Sequence, residues 1–361
     1  MRRSRIAVAV GLPAAAAAGW FAARELDRRR IRSDPEYDRV FAPLDGREVA
    51  VTAPDGTRLH AEVFGPEGAP TIVLCHGWTC ALRFWTYQIQ DLAPDHRVVA
   101  WDFRGHGKSE PAASGDYSID AFGDDLQAVL ETTVAAGERA LLAGHSMGGM
   151  TIVSWAGRHP DEVERRAAAA ALVSTGMGDL LSESLVVRTP DRFKPASARI
   201  ASAVFEAAAP LPPGPTPLMY RWTRYVALSA AATPAQVAFS ERLIIDCKPD
   251  VRAACAATLS RLDLYKSIAS VTVPTVVMVG ERDKLAPPVH ASKLNAMLPD
   301  PTELIVVPRY GHMLPLEAHD DVTGALRHLA AAFSSSSSPV TASAGSTGNG
   351  PSPASASRSS A

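Results

Sequence analysis

The chain predicts an α/β fold, a mostly parallel central sheet with helices on both faces, and three observations predict it. First, continuous apolar runs alternate with helix-forming segments, as strands buried on both faces require. Second, one such run, residues 140–143, leads into Gly144-His145-Ser146-Met147-Gly148 and then a helix-like segment, residues 150–158. Third, the last two runs, residues 273–280 and 304–308, are followed directly by Glu281-Arg282-Asp283 and Arg309-Tyr310-Gly311-His312. A serine, a carboxylate and an imidazole therefore each follow a strand. They lie at the sheet edge where open α/β folds bind ligands.

Residues 6–23 carry no charge and lie between Arg2, Arg3, Arg5 and Arg24, Arg28, Arg29, Arg30, Arg32. A membrane-spanning helix needs roughly 17–25 residues, so this run is near the lower limit. The expectation is an uncleaved single-pass membrane anchor, with residues 24–47 as a juxtamembrane linker. The larger basic cluster after the run weakly favours a cytoplasmic catalytic domain. A cleaved signal peptide, giving a secreted protein, is the rival reading, and a surface-lying amphipathic segment is a third. At the other end, residues 334–361 are Ser, Ala, Pro, Gly and Thr with almost no large apolar side chain. Such a segment cannot bury enough surface to offset its ordering entropy and is expected to be a disordered tail.

The globular part is expected over residues 48–333. Residues 48–53 and 59–64 flank Pro54-Asp55-Gly56-Thr57, a hairpin signal. Strands are then predicted at 71–74 and 97–100, with a helix around 84–92 between them. Ser118 is placed to cap a helix from 119 to about 136. After the strand at 140 and its helix comes another apolar run, residues 167–173. Residues 320–333 form a closing helix with Val322, Leu326 and Leu329 on one side. From about 177 to 270 no buried parallel strand is evident. Helices are predicted there around 198–208 and 234–246, separated by a proline-rich stretch, residues 210–217. Met219, Trp222, Tyr225 and Leu228 have helical spacing and are read as an apolar wall or, more simply, as the core of this insertion.

The composition bounds the function. Hydrophobic residues make up 47% of 361, which suits one large α/β domain. A formal net charge of -2 gives no electrostatic case for nucleic acid. Four cysteines are not a disulfide framework, and Cys75 and Cys80 lack a second Cys/His pair at metal-ligand spacing. No metal and no cofactor are expected.

Two further motifs extend the pattern. Cys75-His76-Gly77-Trp78 follows the strand at 71–74, and Trp101-Asp102-Phe103-Arg104-Gly105-His106-Gly107-Lys108-Ser109 follows the strand at 97–100. With the serine turn and the acid and histidine loops, these motifs resemble those of the α/β-hydrolase family. The resemblance spans about residues 48–333 and is weaker in the middle. It implies an α/β-hydrolase fold with a helical cap, about 177–270, inserted between strands 6 and 7. It implies Ser146 as nucleophile, His312 as base and Asp283 as the acid orienting it. The backbone N–H groups of Trp78 and Met147 are implied as oxyanion donors, and Gly144, His145 and Gly148 as parts of the tight nucleophile turn.

Rivals stand beside each role. Ser146 could be an ordinary helix cap. Glu281 competes with Asp283, while His290 and His319 compete with His312. Asp102 and His106 look like a second acid–base pair, but the turn they occupy reads better as structural, as does His76. A serine at the turn excludes the alkyl-ester chemistry of aspartate-bearing relatives such as epoxide hydrolases. It implies a serine hydrolase acting on small-molecule or lipid carboxylic esters through an acyl-enzyme. A cofactor-free perhydrolase, a thioesterase and a non-catalytic ligand sensor of the same fold are the alternatives.

Overall fold

The computed structural model describes residues 19–186, 200, 203 and 206–334. Eight strands form one sheet: β1 (Arg47–Thr52), β2 (Arg58–Phe64), β3 (Thr71–Cys75), β4 (Arg97–Trp101), β5 (Ala140–His145), β6 (Ala167–Val173), β7 (Thr275–Gly280) and β8 (Pro301–Val307). Their spatial order is β1-β2-β4-β3-β5-β6-β7-β8. β2 pairs antiparallel with β1 and β4, and every pair from β4 to β8 is parallel. The fold is that of the α/β hydrolases, with a mostly parallel sheet. The Asp55-Gly56 hairpin works as the sequence suggests: Gly56 takes φ 86°, and the Asp55 carboxylate accepts from Thr57 N.

Among the described residues, the longer helices that follow β3 are α1 (Thr86–Leu92), α2 (Ile119–Thr133), α3 (Met147–Arg158), α4 (Pro160–Arg166), α5 (Pro217–Ala227), α6 (Pro234–Asp246), α7 (Pro249–Ser260), α8 (Pro288–Met297) and α9 (His319–Ser334). Successive residues of a strand point to opposite faces, and both faces are buried here. Val73, Leu142 and Val277 pack into one core with Phe122 and Leu126 of α2, Val153 of α3 and Leu294 of α8. Ile72, Leu141 and Val276 pack into the other with Ile89 of α1 and Val322, Leu326 and Leu329 of α9. The central strands therefore read as unbroken apolar runs rather than alternating ones.

Helices α5, α6 and α7 lie between β6 and β7 as a cap. Each begins with a proline in its first turn, where the missing N–H costs nothing. Thr216 and Thr233 cap α5 and α6 through their hydroxyls, and Gln236 completes a capping box with Thr233. The predicted stripe divides: Leu228, just past α5, is buried in the core and Met219 is half-buried, whereas the two aromatics lie outside it. Trp222 and Tyr225 are about half exposed, at 49% and 51%. The helix instead buries Pro217, Thr223 and Ala227, a face of small residues that lets the backbone approach its neighbours closely. Most of the helix expected at 198–208 lies outside the described residues, as does the tail from 335 onward.

The expected membrane anchor is corrected. Its residues 6–18 lie outside the described part, while 19–23 open a helix running over 19–32. That helix carries Arg24, Glu25 and Asp27 within its first turns after Ala23, and its buried Asp27 pairs with Arg221 of α5 at 3.0 Å. Among the described residues no helix is long and apolar enough to cross a membrane. That finding overturns the expected single-pass anchor over residues 6–23 and the membrane location drawn from it.

Glu241 of α6 is buried in the cap, where its carboxylate accepts from Thr216 N at 3.0 Å. Burial pushes its carboxyl up to about 7. An unfolded glutamate titrates near ~4.3, so the folded state holds the proton more tightly. That contribution to stability is complete below the unfolded value and is lost as pH rises through about 7. Glu241→Gln, which keeps an acceptor but cannot ionise, should therefore gain in Tm relative to the wild type between pH 5 and pH 8. A Tm difference that does not change with pH would contradict this.

Candidate active site

Ser146 sits between β5 and α3 with φ 52° and ψ −118°. A non-glycine residue held in such a region costs on the order of 1–3 kcal/mol and persists only where surrounding bonds over-determine it. Ser146 N donates to Val173 O of β6 at 2.9 Å, and Thr175 Oγ1 donates to Ser146 O at 2.7 Å. The turn also requires its glycines. A Cβ on Gly144 would lie 2.5 Å from the Gly148 carbonyl carbon, and one on Gly148 would lie 2.1 Å from Cys75 O. The crowded turn lifts the serine side chain out of the strand while α3 begins immediately at Met147, three residues earlier than the apolar pattern suggested.

The structure brings Ser146, Asp283 and His312 together. His312 Nε2 lies 3.1 Å from Ser146 Oγ, and His312 Nδ1 lies 2.8 Å from Asp283 Oδ2. Asp283 is buried, and its Oδ1 accepts from Leu285 N and Ala286 N, both at 2.9 Å. One oxygen is thus held by backbone while the other faces the imidazole. Glu281, the rival acid, accepts from Arg309 N instead. His319 stacks on Tyr87 at 4.2 Å, away from the serine. His290 is buried against Gly176, whose Cβ would lie 3.0 Å from Nδ1.

The chain after β3 passes over the serine turn. A Cβ on Gly77 would lie 2.7 Å from His145 Nδ1 and 3.3 Å from Ser146 Cβ. Trp78 follows Gly77, and Met147 follows Ser146, so both backbones border the serine. The Trp78 indole N–H donates to Arg252 O of α7, which ties this loop to the cap. Loop shape comes from neighbouring side chains. His76 donates from Nδ1 to Gly77 O and accepts at Nε2 from Phe103 N, which makes it a neutral structural imidazole. Asp102 accepts from Leu82 N and Lys108 N, and lies 3.1 Å from His60 Nδ1. Arg104 forks onto the buried Asp125 at 2.6 and 2.7 Å. These contacts hold the turn at 102–109, not a reacting group.

Three contacts on the histidine loop escaped the sequence reading. Ala227 O, at the end of cap helix α5, accepts from His312 N and Met313 N. Glu317, buried and with its carboxyl raised by that burial, accepts from Gly311 N and from Ser229 N of the cap. His145 Nε2 lies 2.9 Å from His312 O. A carbonyl only accepts, so Nε2 carries the proton. Burial, then the nearby His312, holds the His145 imidazole neutral, well below the usual histidine range. No spacing rule announces these ties: Ala227, Ser229 and His145 are distant in sequence, and nothing in the spacing of Glu317, six residues past Gly311, shows that its side chain turns back.

Among the described residues, two groups place three carboxylate or imidazole ligands together: Glu48, His60 and Glu62, and Asp91, His319 and Asp320. In the first, the Lys108 ammonium already sits 2.6 Å from Glu48 and 3.2 Å from Glu62. Neither group includes Ser146, Asp283 or His312. Cys75 is buried in β3, where burial pushes its thiol up to about 12.

A sequence model of the alpha/beta hydrolase fold matches residues 70–319. The chain is similar to the bifunctional esterase/perhydrolase DCH of Acinetobacter calcoaceticus, 26% identical over 288 residues that cover 73% of this chain and 93% of that one. It is also similar to a non-heme chloroperoxidase of Burkholderia pyrrocinia, 28% identical over 277 residues, 74% of this chain and 94% of that one. Among solved structures, a thermophilic esterase from Thermogutta terrifontis superposes with a TM-score of 0.64 at 23% identity. It covers 80% of this chain and 99% of that one. This last likeness speaks for the fold.

The His145 contact generates a test. His145→Phe fills the space but cannot donate to His312 O, whereas His145→Gln retains a donor. Reaction of Ser146 with a fluorophosphonate probe should slow about tenfold in the Phe variant, roughly one lost hydrogen bond in a barrier, and recover in the Gln variant. Equal labelling rates in all three folded proteins would remove His145 as a positioning residue.

Proposed function

The chain belongs to the α/β-hydrolase family, and from that premise we propose that it is a serine hydrolase cleaving carboxylic esters through an acyl-enzyme. At the coarser level it is a hydrolase of this fold. The finer reading is carried by one observation: the unbroken series Ser146 Oγ, His312 Nε2, His312 Nδ1, Asp283 Oδ2, with links of 3.1 and 2.8 Å. In this reading Ser146 Oγ attacks the ester carbonyl while His312 takes its proton. His312 returns that proton to the departing alcohol. Asp283, already holding Nδ1–H, stabilises the imidazolium that forms in between. Water then repeats the sequence on the acyl-enzyme, with the acid as product.

The tetrahedral oxyanion is assigned to the backbone N–H groups of Trp78 and Met147. Met147 opens α3, so its N–H belongs to the helix N-terminus, where partial positive charge favours an anion. The donors are backbone groups, so side-chain substitutions at either position test shape rather than the hydrogen bond. The substrate is a small-molecule ester, its alcohol and acyl groups bounded by the cap.

Ser146→Ala should lower turnover of a short-chain p-nitrophenyl ester by at least about 10³-fold, with folding intact. Undiminished turnover would remove Ser146 as nucleophile. The same variant should lose fluorophosphonate labelling, which a ligand sensor would never have shown.

The names of the Acinetobacter and Burkholderia relatives favour a second reading, perhydrolysis on the same three residues. There peroxide replaces water as acceptor of the acyl group. Incubation with acetate and hydrogen peroxide separates the two: peracetic acid accumulating in a Ser146-dependent manner supports perhydrolysis, and its absence alongside ester turnover leaves the esterase.

A further inference from the structure

Away from the serine, the helix at 19–32 and the cap enclose a cavity of about 810 Å³. Its walls are that helix, residues Tyr37 and Phe41, the start of α5 and the middle of α6, where Ala238 lines it. The volume lies inside the roughly 300–1,000 Å³ typical of small-molecule sites. Ser146, Asp283 and His312 take no part in its lining.

Specific contacts build this cavity. Asp27, buried, pairs with Arg221 of α5 at 3.0 Å. Asp34, also buried, accepts from Ala235 N of α6 at 2.8 Å and from Glu36 N at 3.0 Å. These two carboxylates fix both the helix and the chain after it against the cap.

The lining divides into two zones. Ile31, Tyr37, Phe41 and Tyr220 form a half-buried apolar floor, in which the Tyr37 and Phe41 rings lie 4.9 Å apart and Phe41 packs edge-on to Phe239 at 5.5 Å. Above it, Arg24, Arg28 and Arg32 recur every fourth residue on the cavity side of the helix and are exposed. No ion pair within 4 Å engages them among the described residues. Of the acids in the lining, Asp27 is committed to Arg221 and Glu241 to Thr216 N, while Glu25 pairs with Arg29 at 2.9 Å and offsets only part of the charge of Arg28 and Arg32. Burial also keeps much of Glu241 uncharged near neutrality.

Like charges at i,i+4 destabilise a helix, and an anion seated across the three arginines removes that repulsion. Guanidinium groups pair with carboxylates through two parallel hydrogen bonds. An aromatic floor beside such a stripe suits an alkyl chain attached to the carboxylate. We propose that this cavity binds an anionic amphiphile, a single alkyl chain ending in a carboxylate, with its chain on the Tyr37–Phe41–Tyr220 floor and its headgroup on Arg24, Arg28 and Arg32. The site is separate from the one that cleaves esters and does not depend on that reading.

The test is calorimetric titration of the full chain with decanoate and, as the uncharged match, 1-decanol. Wild type should prefer decanoate. The triple variant Arg24→Gln, Arg28→Gln, Arg32→Gln should bind decanoate about tenfold or more weakly and 1-decanol unchanged. Ala238→Trp, at an α6 residue of the cavity lining, should fill the cavity and weaken both. A diazirine-bearing decanoate should crosslink to peptides holding Tyr37 and Tyr220. Equal decanoate affinity in the triple variant, or crosslinking confined to peptides holding Ser146 or His312, would overturn the proposal.

Discussion

The strained turn at Ser146 is the constraint on which the rest of the structure depends. A serine at φ 52° is held only because β6 supplies Val173 O, Thr175 supplies a hydroxyl, and two glycines let the backbone of β3 and α3 close around it. Each of those partners requires the parallel order β3-β5-β6 at the centre of the sheet. That order in turn requires strands apolar on both faces, with helices covering each. The eight-stranded core is thus the device that keeps one side chain in a conformation it would otherwise leave.

The histidine loop is held from the other direction, by the cap. His312 takes its backbone position from Ala227 O at the end of α5, from Glu317 acting through Gly311, and from His145 beside the serine. Glu317 reaches Ser229 as well, so one buried carboxylate joins the cap to the loop. Burying such a group without a cation is costly, and here backbone N–H groups supply the compensation. The cap is therefore part of the scaffold that orients the imidazole. The helix at 19–32 extends the same layer outward through Asp27 and Asp34.

Much of this was legible before any coordinates. Ser118 was read as the cap of α2, and its hydroxyl does accept from Ala121 N, because a cap acts within one turn of chain. The prolines and threonines that open the cap helices act as locally but had not been read. The α5 stripe was only partly right, Leu228 being buried and the aromatics not, because spacing shows which residues share a face but not which of them meet a neighbour. Trp222 and Tyr225 do share one, and it is the exposed one. The uncharged run at the N-terminus was over-read for a related reason: the charges that follow it decide the character of the described helix, and its polar partners lie in the cap, about two hundred residues away.

By itself the sequence determined the strand series, the helices at 119, 234 and 320, the glycine-flanked serine, and the order in which acid and histidine follow it, because each rests on local periodicity or on a turn that admits few residue types. Only the tertiary structure decided that Asp283, rather than Glu281, faces His312, that His145 and Glu317 hold the histidine loop, and that Arg24, Arg28 and Arg32 border a cavity. These depend on distances between segments brought together by the crossovers of the sheet and the insertion of the cap. Hydrogen bonds act over about 3 Å, whereas most of the residues that form these are separated by tens to hundreds of positions, so no local pattern records them.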